Sequence, residues 1–141
     1  MNLIKESVMS AALVLSSGPW VGVDPAVARQ SLVRAFGIHS VTTMAGVPGT
    51  HTRWEFAISA LGEPRFSVHE TAAQIGTDGT PDQCARALAA LRPGLPMGSD
   101  RLIAITPDAR RYVELPAGVT AEQVRDGWQD VDDTTFEGFE E

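Results

Sequence analysis

Three adjoining pieces of the chain decide its fold: Arg101-Leu-Ile-Ala-Ile-Thr106, Pro107-Asp-Ala109 and Arg110-Arg-Tyr-Val-Glu-Leu115. The first is a short apolar run, the second contains residues that reverse a chain, and the third alternates along its length. Together they predict a β-hairpin. A helix is predicted to follow, because Thr120 is a good N-cap and Gln123 stands three residues later, as in a capping box.

Two further helices are predicted upstream by the same kind of signal. One begins at Asp24-Pro25 and ends near Phe36, and the other begins at Thr80-Pro81 and ends near Arg92. Residues 3–15 leave two alternatives open, since their apolar spacing fits a helix slightly better but residues 8–15 also fit a buried strand.

The middle of the chain is rich in strand signals. Residues 52–61 alternate strictly, with Trp54, Phe56 and Ile58 on one face, and predict a strand with one core-facing side. A tight connection at 62–64 leads to a strand over 65–70, which would place Phe66 opposite Ala60 and Val68 opposite Ile58. Residues 38–44 predict another strand, 46–49 a turn and 76–79 a loop.

This order predicts a two-layer α+β domain, with a mainly antiparallel sheet of about five strands and two to four helices on one face. Residues 1–128 form this single domain, and residues 129–141 form an acidic C-terminal tail.

The composition excludes several classes of site. Because Cys84 is the only cysteine, the chain has no intramolecular disulfide, and the scattered His39, His51 and His69 do not match a structural zinc pattern. No metal or cofactor is therefore predicted. Residues 8–15 are too few to span a bilayer, so we expect no membrane insertion and a cytoplasmic, reducing location.

The charge is unevenly placed. The formal net charge is −7, and residues 129–141 hold six acids and no base, which leaves twelve acids against eleven bases in the rest of the chain. A segment this acidic repels phosphate, so direct nucleic-acid binding is not expected.

His69 is the candidate for catalysis. On the predicted hairpin it stands diagonally near Glu55 and Ser59, and a histidine beside a carboxylate can act as a general acid or base. No nucleophile or oxyanion donor is indicated by spacing, so a solvated sheet face is the favoured interpretation. No catalytic residue is assigned.

The tail is the candidate for protein binding. Phe136 and Phe139 lie among carboxylates, and aromatic anchors with a charged rim are typical of protein interfaces. The alternative is a loosely ordered, solubilising end. The predicted partner-binding residues are Asp132, Asp133, Phe136, Glu137, Phe139 and Glu140 of the tail, with Arg110 and Arg111 of the hairpin.

Three function classes remain open, because no stretch carries a motif specific to a known family. The favoured class is a non-catalytic protein-binding or inhibitory module, such as a small phage or bacterial accessory protein of the immunity or anti-factor type, whose partner has a basic surface. The second is a structural subunit of a larger assembly, such as a phage or secretion particle. The third is a small hydrolase or transferase that uses the His69 face.

Overall fold

The structure, a computed structural model, describes residues 10–44, 52–71, 74–96, 101–137 and 139. The helices are α1 (Pro25–Phe36), α2 (Pro81–Leu91) and α3 (Ala121–Asp126). The strands are β1 (Ser10–Ser16), β2 (Val41–Thr43), β3 (Trp54–Ile58), β4 (Phe66–Glu70), β5 (Ile75–Gly79), β6 (Leu102–Ile105), β7 (Arg111–Glu114) and β8 (Gln129–Asp130). Short 3-10 turns span Ile38–Ser40 and Arg92–Gly94.

The strands form one sheet in the order β2-β3-β4-β5-β1-β6-β7-β8, and every neighbouring pair is antiparallel. The α+β class and the antiparallel sheet are therefore confirmed. The expected count of about five strands is wrong, since the described residues form eight. Two of the additional strands are β1 and β5, which lie side by side near the middle of the sheet.

The helix starts follow the predicted capping chemistry. Thr80 and Thr120 each accept a hydrogen bond from the backbone of the glutamine three residues later, and each glutamine side chain accepts one from the backbone of its threonine. Asp24 caps α1 by accepting a 2.8 Å hydrogen bond from the Ala26 backbone N–H. These contacts satisfy N–H groups that a helix start leaves without partners.

The core lies between the helices and one face of the sheet. On the sheet it contains Ala12, Val14, Trp54, Phe56, Ile58, Phe66, Val68, Ile75, Leu102, Ala104 and Val113. On the helices it contains Ala28, Leu32, Ala85, Leu88, Leu91 and Val124. The predicted core face of β3 is thereby confirmed.

The expected two layers describe this architecture only roughly. Ile103 and Ile105 alternate with the core residues Leu102 and Ala104, so they point away from the helices, yet both are buried. Part of the C-terminal segment packs on this second face through Arg101.

Two assignments made from the sequence are corrected. The helix slightly favoured for residues 3–15 is wrong for residues 10–15, which belong to the central strand β1 (Ser10–Ser16); residues 3–9 lie outside the described residues. The loop predicted at 76–79 is wrong, because these residues belong to β5. In both cases pairing with neighbouring strands decides a pattern that local residues leave undecided.

The β3–β4 register also differs from the prediction. Phe66 lies opposite Ile58, and His69 lies opposite Glu55, two positions from the expected pairing. The connection is longer than predicted, since β3 ends at Ile58 and β4 begins at Phe66. The turn expected at 46–49 lies outside the described residues.

Candidate partner-binding surface

The acidic C-terminal segment, residues 129–139, begins as part of the sheet. Gln129 lies opposite Tyr112 and Asp130 opposite Arg111, which makes β8 the edge strand beside β7. The Val131 N–H then donates a 2.9 Å hydrogen bond to the Arg110 carbonyl. The start of the segment is therefore held by backbone pairing.

A turn follows at Asp132. Its carboxylate accepts hydrogen bonds from the Thr134 hydroxyl at 2.7 Å and the Thr134 N–H at 2.8 Å. These bonds, the hydroxyl first, lower the pKa of Asp132 below its ordinary value, because they stabilise the charged form. The Asp132 N–H donates to the Thr135 hydroxyl at 2.8 Å, and Thr135 is buried. The sequence Asp-Asp-Thr-Thr thus folds the segment back onto the body.

Arg101 attaches the folded segment to the sheet. Its Nη1 donates to the Thr135 carbonyl at 2.7 Å and to the Glu137 carbonyl at 3.3 Å. On its other side, its Nε lies 3.1 Å from Glu114 Oε1 on β7. The hydrogen bonds that Arg101 donates to the Glu114 carboxylate raise the pKa of Arg101 above its ordinary value. Arg101 therefore stays charged and links β7 to the segment.

The two phenylalanines have different environments. The Phe139 ring lies under the Arg101 guanidinium, 5.2 Å from ring centroid to Cζ, and is half-buried. The Phe136 ring meets it edge to face, with centroids 6.1 Å apart and planes at 87°. Phe136 is 39% exposed. One ring is thus anchored to the body, and the other is presented to solvent.

The predicted acidic residues that the structure describes lie within four residues of Phe136 in the sequence and are exposed. Asp133 and Glu137 are exposed, and Asp132 is exposed although its carboxylate is engaged in the turn. Glu140 lies outside the described residues. These described residues share one short segment, and the structure shows contact between the Phe136 and Phe139 rings.

Arg110 and Arg111 lie at the beginning of the segment, not at its aromatic end. Arg111 Nε is 4.0 Å from Asp130, and its Nη2 donates to the Trp128 carbonyl at 3.4 Å. Both arginines are exposed. A neighbouring cavity of about 230 Å³ is lined by Pro81, Thr106, Arg111, Arg125, Asp126 and Trp128.

His69 lies on the face of the sheet away from the helices. It pairs with Glu55 on one side and Gly76 on the other. Its ring fills the space beside Gly76, where an added Cβ would lie 2.6 Å from His69 Cε1. The backbone of β5 therefore approaches this ring closely, and the glycine that suggested a loop makes room for it.

Glu70 is a feature that the sequence did not single out. It occupies a core-facing position after Phe66 and Val68, and its side chain is fully buried. Its Oε2 accepts hydrogen bonds from Trp20 Nε1 at 2.9 Å and from the Val23 N–H at 3.0 Å.

The second carboxylate oxygen of Glu70, Oε1, makes weaker polar contacts than Oε2. Oε1 lies 3.6 Å from Arg53 Nε, and no hydrogen bond to it is formed by the described residues. Trp54 adds a hydrogen bond from Nε1 to the Val23 carbonyl at 3.2 Å. Glu70 thus fastens the connection between β1 and α1 to the sheet. An acid at a core-facing position of an alternating strand was the signal that could have found it.

Among the described residues, no group of three or more His, Cys, Asp or Glu side chains is placed to hold a metal ion. None of the helices in the described ranges is long and apolar enough to cross a lipid bilayer. Comparison with known proteins gives no matching family model, no matching curated protein and no matching solved structure.

Proposed function

We propose that this protein is a non-catalytic protein-binding or inhibitory module, and that it binds a partner with a basic surface through its acidic C-terminal segment. The observation that carries the proposal is the exposed Phe136 ring, 39% accessible, on a turn whose backbone is held by Arg101. Large aromatic side chains that enter a partner's pocket supply most of the energy in protein interfaces.

Preorganisation supports the assignment of Phe136 as the anchor. The Asp132 turn and the Arg101 contacts fix the segment before any partner arrives, and Phe139 restrains the Phe136 ring from one side. Binding then loses less conformational entropy than it would from a disordered tail. Phe139, which is half-buried, supports Phe136 and makes a smaller contact of its own.

The exposed carboxylates of the segment are the second feature that supports binding to a basic partner. Asp133 and Glu137 are exposed and lie within three residues of Phe136 in the sequence, so they can meet basic groups at the rim of a partner's groove. Rim charges of this kind chiefly raise the association rate and make it sensitive to salt, whereas the aromatic anchor controls dissociation. We further propose that the protein works in the cytoplasm, because a chain with a single cysteine forms no intramolecular disulfide and fits a reducing compartment.

An affinity capture from native lysate tests the proposal. The bait is the full chain, compared with Phe136→Ser and with Leu61→Ser as a matched control, because Leu61 is a large apolar residue that is fully exposed elsewhere. We expect at least one protein, quantified by mass spectrometry, to be retained by the wild type and by Leu61→Ser but lost with Phe136→Ser. Equal retention by all three baits would contradict the proposal.

A further inference from the structure

The two edges of the sheet are protected very differently. Edge strands usually carry charges, proline or a covering segment, because these features prevent pairing with another strand. Both edge strands are short, with two residues in β8 and three in β2, but β8 carries the charged Asp130, whose side chain is 94% exposed. At the other edge, residues 38–44 have the sequence Ile-His-Ser-Val-Thr-Thr-Met, with no Lys, Arg, Asp, Glu or Pro.

The side chains at this second edge are open to solvent. Thr42, Thr43 and Met44 are exposed, and Ile38, in the turn before β2, is 59% exposed. Residues 41–43 are all β-branched, so their intrinsic preference is for paired strand structure. The β2 edge thus consists of uncharged residues that favour strand pairing, as is typical of a strand inside a sheet.

The register of β2 shows which backbone groups point outwards. Ser59 N–H donates to the Ser40 carbonyl, and Met44 N–H donates to the Glu55 carbonyl, each at 2.9 Å. In an antiparallel pair, hydrogen-bonded residues alternate with residues whose N–H and C=O point away. The backbone N–H and C=O of Thr42 therefore point towards β3, whereas the Thr43 N–H and the Val41 C=O point to the other side of β2, where none of the described strands lies.

We propose that two copies of this chain associate edge to edge through β2, antiparallel about a two-fold axis at Thr42. In this pairing the Thr43 N–H of each copy donates to the Val41 C=O of the other. Thr42 then lies opposite its own symmetry mate in a position without backbone hydrogen bonds, where side chains are closest and Thr–Thr pairs are favourable.

A second copy fits this edge because an isologous contact must be self-complementary. Residues 41–43 read as β-branched in both directions and carry no charge to repel themselves. The acidic segment follows β8, seven strands away, or about 34 Å at about 4.8 Å per strand. Because this exceeds the Debye length of about 8 Å at physiological salt, the charge of the acidic segment does not oppose the pairing.

Charge substitutions at the two-fold axis test the pairing. The wild type, Thr42→Lys, Thr42→Glu and the control Gln129→Lys on the opposite edge are compared by sedimentation velocity over a wide concentration range. We expect the wild type and Gln129→Lys to form dimers, and each Thr42 variant to weaken the dimer by at least about tenfold. Mixing Thr42→Lys with Thr42→Glu should restore a heterodimer, detected by native mass spectrometry.

A disulfide cross-link between two copies tests the same pairing without a charged variant, which could fold poorly. Thr42→Cys should form a reducible intermolecular disulfide under mild oxidation, since facing residues without backbone hydrogen bonds have Cα atoms about 4.5 Å apart. Gln129→Cys is the control and should not cross-link, and Cys84 is buried. A wild type that stays monomeric without a Thr42→Cys cross-link would overturn the proposal. Equal loss of dimer in Gln129→Lys, or open-ended polymers, would overturn it as well.

Discussion

Replacement of Glu70 by alanine should destabilise the protein more than the matched replacement of Glu55 on the opposite face of the sheet. Two N–H groups, Trp20 Nε1 and the Val23 backbone, donate to Glu70 Oε2 and would lose their acceptor. Each buried donor without a partner costs about 1–3 kcal/mol. Arg53 adds little, because its side chain is 46% exposed and can be hydrated.

We therefore expect Glu70→Ala to lower the free energy of unfolding by about 2–6 kcal/mol, because two donors lose their acceptor at about 1–3 kcal/mol each. Glu70→Gln keeps one oxygen acceptor and should lose roughly half as much. Whole domains are stable by about 5–15 kcal/mol, so the loss of stability in Glu70→Ala is measurable. The variant stays folded where the stability of the wild type exceeds this loss.

Urea denaturation followed by tryptophan fluorescence and far-ultraviolet circular dichroism measures these values. Trp20 also reports locally, because its indole should become more hydrated and its emission should shift to longer wavelength. Glu55→Ala, half-buried on the other face of the sheet, is the control and should stay within about 0.5 kcal/mol of the wild type. An equally small change for Glu70→Ala would refute the fastening role of this carboxylate.

Three further outcomes are expected. Trp54→Ala should cost about 3–5 kcal/mol, because a buried aromatic is lost from the core, and a urea midpoint equal to that of the wild type would contradict the core face of β3. Thr120→Ala should cost about 1 kcal/mol in the same assay, since it removes the cap of α3, and an unchanged midpoint would argue against the capping box. The Asp132 turn should be fully formed above the ordinary carboxyl pKa of 3.8 and should be lost as the pH falls through the lower folded value. An NMR titration that follows the amide shift of residue 134 would show this as a midpoint pH below 3.8. In Thr134→Val the midpoint pH should be higher, because the hydroxyl hydrogen bond is lost.

The elements that were predicted correctly from the sequence are those formed by local interactions. The β6–β7 hairpin, the capping boxes at Thr80 and Thr120, and the core face of β3 each depend on residues close together in the chain. Such signals agree with the final fold because they need no distant partner.

The missed elements depend on distant contacts. β1 is an apolar run whose strand conformation is decided by pairing with β5 and β6 on either side. β5 contains Gly76, which reads as a loop residue until the ring of His69 is placed against it. β8 has only two residues and no period to detect.

The sequence predicted the composition of the candidate surface but not its folded arrangement. The aromatic and acidic composition of the C-terminal segment is visible in the sequence, and it led to Phe136 and Phe139. Arg101, which holds the segment, is 34 residues from Thr135 and gave no signal of that contact. The distinction between an anchored Phe139 and a presented Phe136 therefore needed the folded chain.

The central claim is tested most directly by the affinity of the purified partner for the wild type, Phe136→Ala and Leu61→Ala at low and high salt. We expect Phe136→Ala to weaken binding at least about tenfold at both salt concentrations, equivalent to about 1.4 kcal/mol, with Leu61→Ala unchanged. Higher salt should weaken binding of all three proteins, mainly by lowering the association rate. An affinity of Phe136→Ala equal to that of Leu61→Ala would contradict the claim that this ring is the anchor.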